Sequence, residues 1–106
     1  MMRAAVGGIL LAVGLAGASS PAAAVNVQQG RRLAQTYCAK CHAIDKVSPS
    51  PLKIAPPFRK LHQRYPVETL QESLSEGIIT GHPTMPQFSF DGDQVGDFIA
   101  FLKTLE

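Results

Sequence analysis

The chain contains the pentapeptide Cys38-Ala39-Lys40-Cys41-His42. This is a C-x-x-C-H pattern, which indicates covalent attachment of c-type haem. Two thiols spaced by two residues at the end of a helix lie close enough to add across the two vinyl groups of one porphyrin, and the adjoining imidazole then faces the iron. We therefore predict one covalent haem c, held by Cys38 and Cys41, with His42 as an axial ligand of the iron.

Other interpretations of the cysteine pair are weaker. A thioredoxin-like redox pair requires a βαβ context, and no β-branched run alternates long enough here for a buried strand. A structural zinc site requires four ligands, but the rest of the chain offers no further cysteine and only the separated His62 and His82. A disulfide between Cys38 and Cys41 is sterically awkward on a helix and leaves His42 without a role.

A second iron ligand is predicted on the segment 81–86, which reads GHPTMP. Met85 stands there between prolines, on a loop and not on a helical face. A thioether is a soft, neutral ligand that favours ferrous iron and so raises the reduction potential. We predict Met85 as the sixth ligand. His82 is the alternative and would make a bis-histidine haem of lower potential; an open sixth position is the third possibility.

The first 24 residues have the pattern of a secretory signal peptide. Arg3 supplies a positive start, the run from Ala4 to Ala18 is apolar and uncharged, and residues 22–24 offer an A-x-A cleavage site. The apolar run is shorter than the roughly 20 residues needed to span a bilayer. We predict a cleaved signal peptide over residues 1–24 and one soluble domain over residues 25–106, located in a bacterial periplasm without stable membrane insertion.

The predicted domain is small for a protein that must bury a core of side chains. Residues 25–106 amount to 82 residues, a size at which such a core is marginal. Both cysteines are assigned to the haem, so no disulfide remains to add stability. The porphyrin must then form a large part of the core, and we predict that the haem-free chain is poorly folded.

Charge is separated along the sequence. The whole chain has 10 Lys and Arg and 8 Asp and Glu, for a net charge of +2. Residues 31–64 hold eight basic residues against one acid, Asp45, whereas residues 65–106 hold seven acids against one base, Lys103. We predict a dipolar molecule whose basic face docks onto acidic surfaces of redox partner proteins. Solvated helix faces are the alternative; no nucleic-acid partner is expected.

Capping residues and apolar spacing predict a first and a last helix. Asn26 is a good cap for a helix that runs to Tyr37, and Asp91 with Gln94 three residues later marks the start of the last helix. The apolar stripe of the first helix consists of Val27, Gly30, Leu33, Ala34 and Tyr37. A glycine inside a helix costs about 1 kcal/mol, and we expect that Gly30 permits close approach of Phe101 in the last helix.

The middle of the chain is predicted to combine a loop and two short helices. Residues 43–57 contain several prolines and are expected to form a loop around one edge of the cofactor. Residues 58–65 are expected to form a short helix. A further helix is expected from Pro66, as its first residue, to Glu76, with Gly77 ending it.

Residues of this middle part are also predicted to contact the cofactor or its ligand. Pro56 or Pro57 offers a carbonyl to the second ring nitrogen of His42, which needs an acceptor to set its tautomer. Tyr65 and Arg59 are candidates to meet the haem propionates, because carboxylates at a partly buried edge need donors.

With both ligand stretches identified, the sequence resembles the small class I cytochrome c family. The shared parts, in order, are a helix containing Gly30, the Cys38-Ala39-Lys40-Cys41-His42 motif, a proline-bearing loop, a helix exit at Gly77-Ile78, Met85 followed by Pro86, and a closing helix with Ile99-Ala100-Phe101-Leu102. The resemblance implies an all-α cytochrome c fold in which the N- and C-terminal helices cross over a haem with one exposed edge. It also implies that His42 is the proximal and Met85 the distal ligand.

The function expected from these features is single-electron transport by a monomeric carrier that is not an enzyme. The chain shows no nucleophile and base pair, no acid pair and no phosphate loop that indicates separate catalysis. Two alternatives stay open: a haem protein that binds a gas or peroxide after Met85 is displaced, and a cytochrome subunit of a dehydrogenase or oxidase complex.

Overall fold

The computed structural model describes residues 24–78 and 85–106, and the regular structure within them is helical, without strands. The elements in chain order are α1 (Val27–Tyr37), a 3₁₀ helix (Phe58–Gln63), a 3₁₀ turn (Val67–Thr69), α2 (Leu70–Glu76) and α3 (Gly92–Lys103). The all-α prediction is therefore confirmed. Residues 1–23 of the predicted signal peptide, and His82, lie outside the described residues.

Both long helices begin where their caps were predicted. The Asn26 side chain accepts a hydrogen bond from the Gln29 backbone N–H at 3.0 Å and starts α1. Asp91 and Gln94 form a reciprocal capping box at the start of α3, each side chain bonded to the other residue's backbone N–H. Such caps satisfy backbone donors that the first turn of a helix leaves unpaired.

The helices α1 and α3 cross at Gly30. A Cβ atom added at Gly30 would lie 2.1 Å from the carbonyl oxygen of Asp97 and 2.8 Å from the Cβ of Phe101. Phe101 is fully buried, as the prediction of a close approach requires. The Asp97 side chain adds a second link, because its Oδ1 accepts from the Asn26 backbone N–H at 2.7 Å.

The core lies on the inward face of α3. Its buried residues there are Val95, Phe98, Ile99, Phe101 and Leu102, followed by Leu105 just after the helix. Leu33 and Ala34 of α1 are buried against this face in the same cluster. Tyr37, the last residue of the predicted apolar stripe, lies outside this buried cluster and lines a cavity beside it.

The middle segments differ from the prediction in their bounds. The first helix ends at Gln63 and is of the 3₁₀ type, and Pro66 precedes a separate 3₁₀ turn instead of being the first residue of the helix that ends at Glu76. In that turn the backbone N–H of Thr69 donates to the Pro66 carbonyl, a bond between residues three apart. Gly77 ends α2 with a φ of 110°, a conformation that glycine adopts without steric cost.

We expect Gly30→Ala to destabilise the protein by about 1–3 kcal/mol, because the added methyl group meets rigid backbone atoms of α3 and the helices must move apart. This loss exceeds the gain of at most about 1 kcal/mol in helix propensity. Denaturant unfolding of the haem-loaded protein measures the change. Gly92→Ala is the matched control, since a Cβ at Gly92 meets nothing within 4 Å. Equal stability of the Gly30 variant and the wild type would show that the crossing is loose.

Candidate haem site

One cavity of about 700 Å³ lies beside the core, within the part of the chain that the structure describes. Its walls come from the end of α1, the loop 43–57, the first 3₁₀ helix, α2, α3 and the segment around Met85. Its apolar lining consists of Leu52, Ile54, Ala55, Pro56, Phe58, Leu61, Leu70, Leu74, Ile78, Pro86, Phe88 and Phe98. A cavity of this size and character suits a large, flat, mostly apolar ligand.

The C-x-x-C-H motif forms a turn directly after α1. The backbone N–H of Cys38 still donates to a carbonyl of α1, and the N–H groups of Cys41 and His42 both donate to the Cys38 carbonyl, at 3.1 and 2.9 Å. Both thiols are free, and Cys38, Cys41 and His42 all line the cavity. The helix end therefore turns the three predicted haem-binding side chains toward one space.

The two thiols differ in how deeply they are buried. Cys38 is only 6% exposed, and desolvation by burial, with a smaller contribution from the neighbouring Cys41, raises the pKa of its thiol to about 12. The thiolate is the reactive form of cysteine. Burial thus disfavours the thiolate of Cys38 in this arrangement.

The loop 43–57 folds back onto the motif. The backbone N–H of Leu52 donates to the Cys41 carbonyl at 3.1 Å, and that of Phe58 donates to the Ala43 carbonyl at 3.0 Å. These bonds return the proline-bearing end of the loop to the cavity, as the prediction of a loop around the cofactor requires.

His42 has a fixed hydrogen-bond partner. Its Nδ1 lies 2.8 Å from the carbonyl oxygen of Pro56, and because a carbonyl only accepts, Nδ1 must carry the proton and donate. In the neutral imidazole this hydrogen bond selects the tautomer that leaves Nε2 as the nitrogen available to a metal. The prediction of a proline carbonyl is confirmed, and the structure selects Pro56 over Pro57.

Met85 also lines the cavity. Two backbone hydrogen bonds attach the chain that follows Met85 to α2 and to Ile78 just beyond it. The Ile78 N–H donates to the Phe88 carbonyl at 2.9 Å, and the Phe90 N–H donates to the Leu74 carbonyl at 2.7 Å. The structure thus brings Met85 to the same cavity as the C-x-x-C-H motif, although more than 40 residues separate them in the sequence.

Of the two residues predicted to meet the haem propionates, the structure places one at the cavity. Tyr65 lines the cavity, but Arg59 does not; its Nη1 donates to the backbone carbonyl of Ser48 at 2.6 Å and holds the loop. Arg64 lines the cavity instead. Side chains three residues apart share a face of a 3₁₀ helix, so Arg64, just past the end of the helix, follows Leu61 toward the cavity.

The donor set fits a c-type haem. Two thiols, an imidazole and a thioether line one apolar cavity, and Lys40, Arg64 and Tyr65 add exposed polar groups to its lining. Within residues 24–78 and 85–106, no three His, Cys, Asp or Glu side chains come together as a group that could hold a metal ion by itself. A small all-α domain with such a cavity and such a donor set is typical of proteins that enclose a covalently attached haem.

Comparison with known proteins agrees with this class. The family model described as "Cytochrome C oxidase, cbb3-type, subunit III" matches residues 25–102. A protein named cytochrome c-552 from Bradyrhizobium diazoefficiens is 30% identical over 98 residues, which cover 92% of each chain. No solved structure matches the chain significantly. The chain belongs to the cytochrome c family, within which it is a small monohaem class I protein that transfers electrons to or from redox partners by a covalently bound haem c.

Across the described residues, none of the helices has the length and apolar character needed to cross a bilayer.

The loop beside the haem site is capped by Asp45. The Ser48 hydroxyl donates to Asp45 Oδ2 at 2.6 Å, and the backbone N–H groups of Ser48 and Val47 donate to Oδ1 at 2.6 and 2.9 Å. These bonds, the Ser48 hydroxyl first, lower the pKa of the Asp45 carboxyl from its ordinary 3.8 to about 2.

We expect the stabilising effect of Asp45 to be constant above about pH 4 and to disappear as the pH falls toward 2. The folded-state pKa lies below the unfolded one, so the stabilisation is present when both states are ionised and is lost when the folded carboxyl takes up its proton. The check is the difference in unfolding free energy between wild type and Asp45→Asn at several pH values. A difference that does not change between pH 5 and pH 2 would contradict the assignment.

Proposed function

We propose that this protein is a soluble periplasmic carrier of single electrons, with Cys38 and Cys41 bonded to the haem and His42 and Met85 as the axial ligands of its iron. The observation that carries the proposal is that these four side chains line one apolar cavity. Membership of the cytochrome c family implies the cofactor, and the proposal adds to it the ligand set, the compartment and the carrier role.

The side chains of this site suit outer-sphere electron transfer. The haem supplies, when bound, a ferric and ferrous couple that changes by one electron. The Pro56 carbonyl keeps the proton on Nδ1 of His42 and leaves Nε2 for the iron. The Met85 thioether favours the reduced state. The apolar lining would limit the access of water to a bound haem, which also favours a higher potential.

The proposed partners are redox proteins with acidic docking surfaces. Lys40 and Arg64 are exposed and line the cavity, so positive charge lies beside the place where an electron would leave. Such charges steer a negatively charged partner toward the haem. Partner turnover should therefore fall as ionic strength rises, and a salt-independent rate would argue against steering.

The proposed maturation removes residues 1–24, exports the chain and leaves residues 25–106 as one monomeric domain. The family match begins at residue 25, directly after the proposed cleavage site. Sequencing the N-terminus of protein recovered from the periplasm tests both points, and a start at Met1 in a membrane fraction would overturn them.

A second candidate function is a haem-bearing subunit of a larger oxidase complex. The observation that favours it is the matched family model, which is described as subunit III of a cbb3-type cytochrome c oxidase. Size-exclusion chromatography of a native extract separates the two. A free carrier elutes near its own mass, whereas a permanent subunit elutes with a much larger assembly.

The experiment that tests the carrier role is the visible spectrum of the reduced, haem-loaded protein before and after carbon monoxide is added. A closed six-coordinate site leaves the spectrum unchanged. A shift would mean that the iron is accessible, and the role of a gas-binding or peroxide-binding haem protein would replace the carrier role.

A further inference from the structure

We propose that Tyr37 is a positioning residue for Met85, because its ring holds the segment that follows Met85 against the end of α1. The proposal rests on the proposed ligation of the haem iron by Met85. It assigns a function to the aromatic side chain at the end of α1.

Tyr37 makes aromatic contacts with two rings of the segment that follows Met85. Its ring stacks on that of Phe88, with the centroids 5.9 Å apart and the planes 18° from parallel. It also meets the edge of Phe90, with the centroids 5.5 Å apart and the planes at 64°. Stacked and edge-to-face pairs at these distances are attractive beyond the area that they bury.

Backbone hydrogen bonds and aromatic contacts hold the segment 85–90 in place among the described residues. It contains no regular secondary structure, and its backbone hydrogen bonds at Phe88 and Phe90 both go to α2 and the residues after it. The ring of Phe90 also meets that of Phe98 in α3. Tyr37 supplies the link to α1. Phe88 lies three residues from Met85, so a restraint on its ring restricts where the thioether can move.

The position of Tyr37 in the chain places this aromatic contact directly beside the C-x-x-C-H turn. Tyr37 is the last residue of α1 and immediately precedes Cys38, so the side chain joins the C-x-x-C-H turn to the Met85 segment. Both Tyr37 and Phe88 line the haem cavity. A contact that connects the two sides of the ligand set restricts opening of the segment without itself touching the iron.

The opening of the Met85 segment can be measured with an external ligand. Imidazole binds ferric haem iron only when Met85 has left it, so its apparent affinity is proportional to the open fraction. Loss of two aromatic pairs raises that fraction by roughly 10-fold, from the usual strength of such pairs. The weak red ferric band of sulfur ligation reports the closed state independently.

The test compares Tyr37→Ala with Tyr37→Phe in the haem-loaded ferric protein, by imidazole titration and by the intensity of the sulfur band. We expect Tyr37→Ala to bind imidazole about 10-fold more tightly than the wild type, with a weaker band, and Tyr37→Phe to match the wild type because it keeps the ring. If Tyr37→Ala does not mature, Tyr37→Leu removes the flat ring while keeping the bulk.

A control separates positioning from general destabilisation. Leu105→Ala removes a buried side chain of the core that does not line the cavity, so it should lower global stability and leave imidazole affinity unchanged. Equal imidazole affinity in Tyr37→Ala and wild type overturns the proposal, as does a rise in Leu105→Ala as large as that in Tyr37→Ala. Absence of the sulfur band from the wild type would instead overturn the ligation by Met85.

Discussion

Replacing Met85 by alanine is expected to lower the reduction potential, abolish the red ferric band of sulfur ligation and allow carbon monoxide to bind the reduced iron. The thioether is a neutral, soft ligand that stabilises ferrous iron relative to ferric. Axial ligands and their surroundings spread haem potentials over about 0.8 V, and we expect the fall to be a sizeable fraction of that range. Redox titration and the visible spectrum measure the three effects together.

Two further variants make the result specific to Met85. Gln87→Ala changes an exposed neighbour on the same segment and should leave the potential and the band unchanged. His82→Ala removes the competing ligand. If His82 and not Met85 binds the iron, the His82 variant changes the spectrum and the Met85 variant does not, and the bis-histidine alternative replaces the proposed ligand set.

A chain that cannot attach haem is expected to lose its cooperative fold. The double variant Cys38→Ala/Cys41→Ala removes both thiols and leaves the cavity of about 700 Å³ without its cofactor. The mostly apolar lining of this cavity then meets water instead of the cofactor, and the apolar burial that the cofactor supplies is lost. A domain of this size has little stability to spare, because domains are stable by only about 5–15 kcal/mol.

Circular dichroism during thermal and denaturant unfolding measures this loss. The double variant should show reduced helix content and a broad, gradual transition in place of a sharp one. Cys41→Ala alone is the control, because the remaining thioether still keeps the haem in the cavity and the fold should persist. A native-like, cooperative transition in the double variant would contradict the view that the cofactor is part of the core.

The fold and the site differ in how much of each could be predicted. Helix starts, helix ends and the C-x-x-C-H turn depend on residues within about four positions of one another, so Asn26, Asp91 and Gly77 are recognisable from their neighbours alone. The crossing of the two long helices was also predictable. A glycine such as Gly30 weakens a helix, and its place within an apolar stripe indicates the close approach of a bulky residue such as Phe101.

The errors share a physical cause. Arg59 and Arg64 lie on or beside one short helix, and the packing of that helix decides which of them reaches the cavity. This packing depends on the surrounding loop and prolines, which local propensity does not describe. The same limit applies to Tyr37, because its spacing in α1 does not reveal that its ring packs against Phe88 and Phe90 of a distant segment.

The sequence by itself determined the chemistry of this protein: two thiols and an imidazole in one turn, a single methionine on a later loop, and capped helices to carry them. Only the tertiary structure decided the arrangement, in which Pro56 accepts from His42, Met85 shares a cavity with the C-x-x-C-H turn and Tyr37 joins the two. The reason is the separation in sequence over which each kind of interaction acts. Covalent and capping chemistry acts between neighbours in the chain, whereas these contacts depend on the path of loops that bring distant residues together.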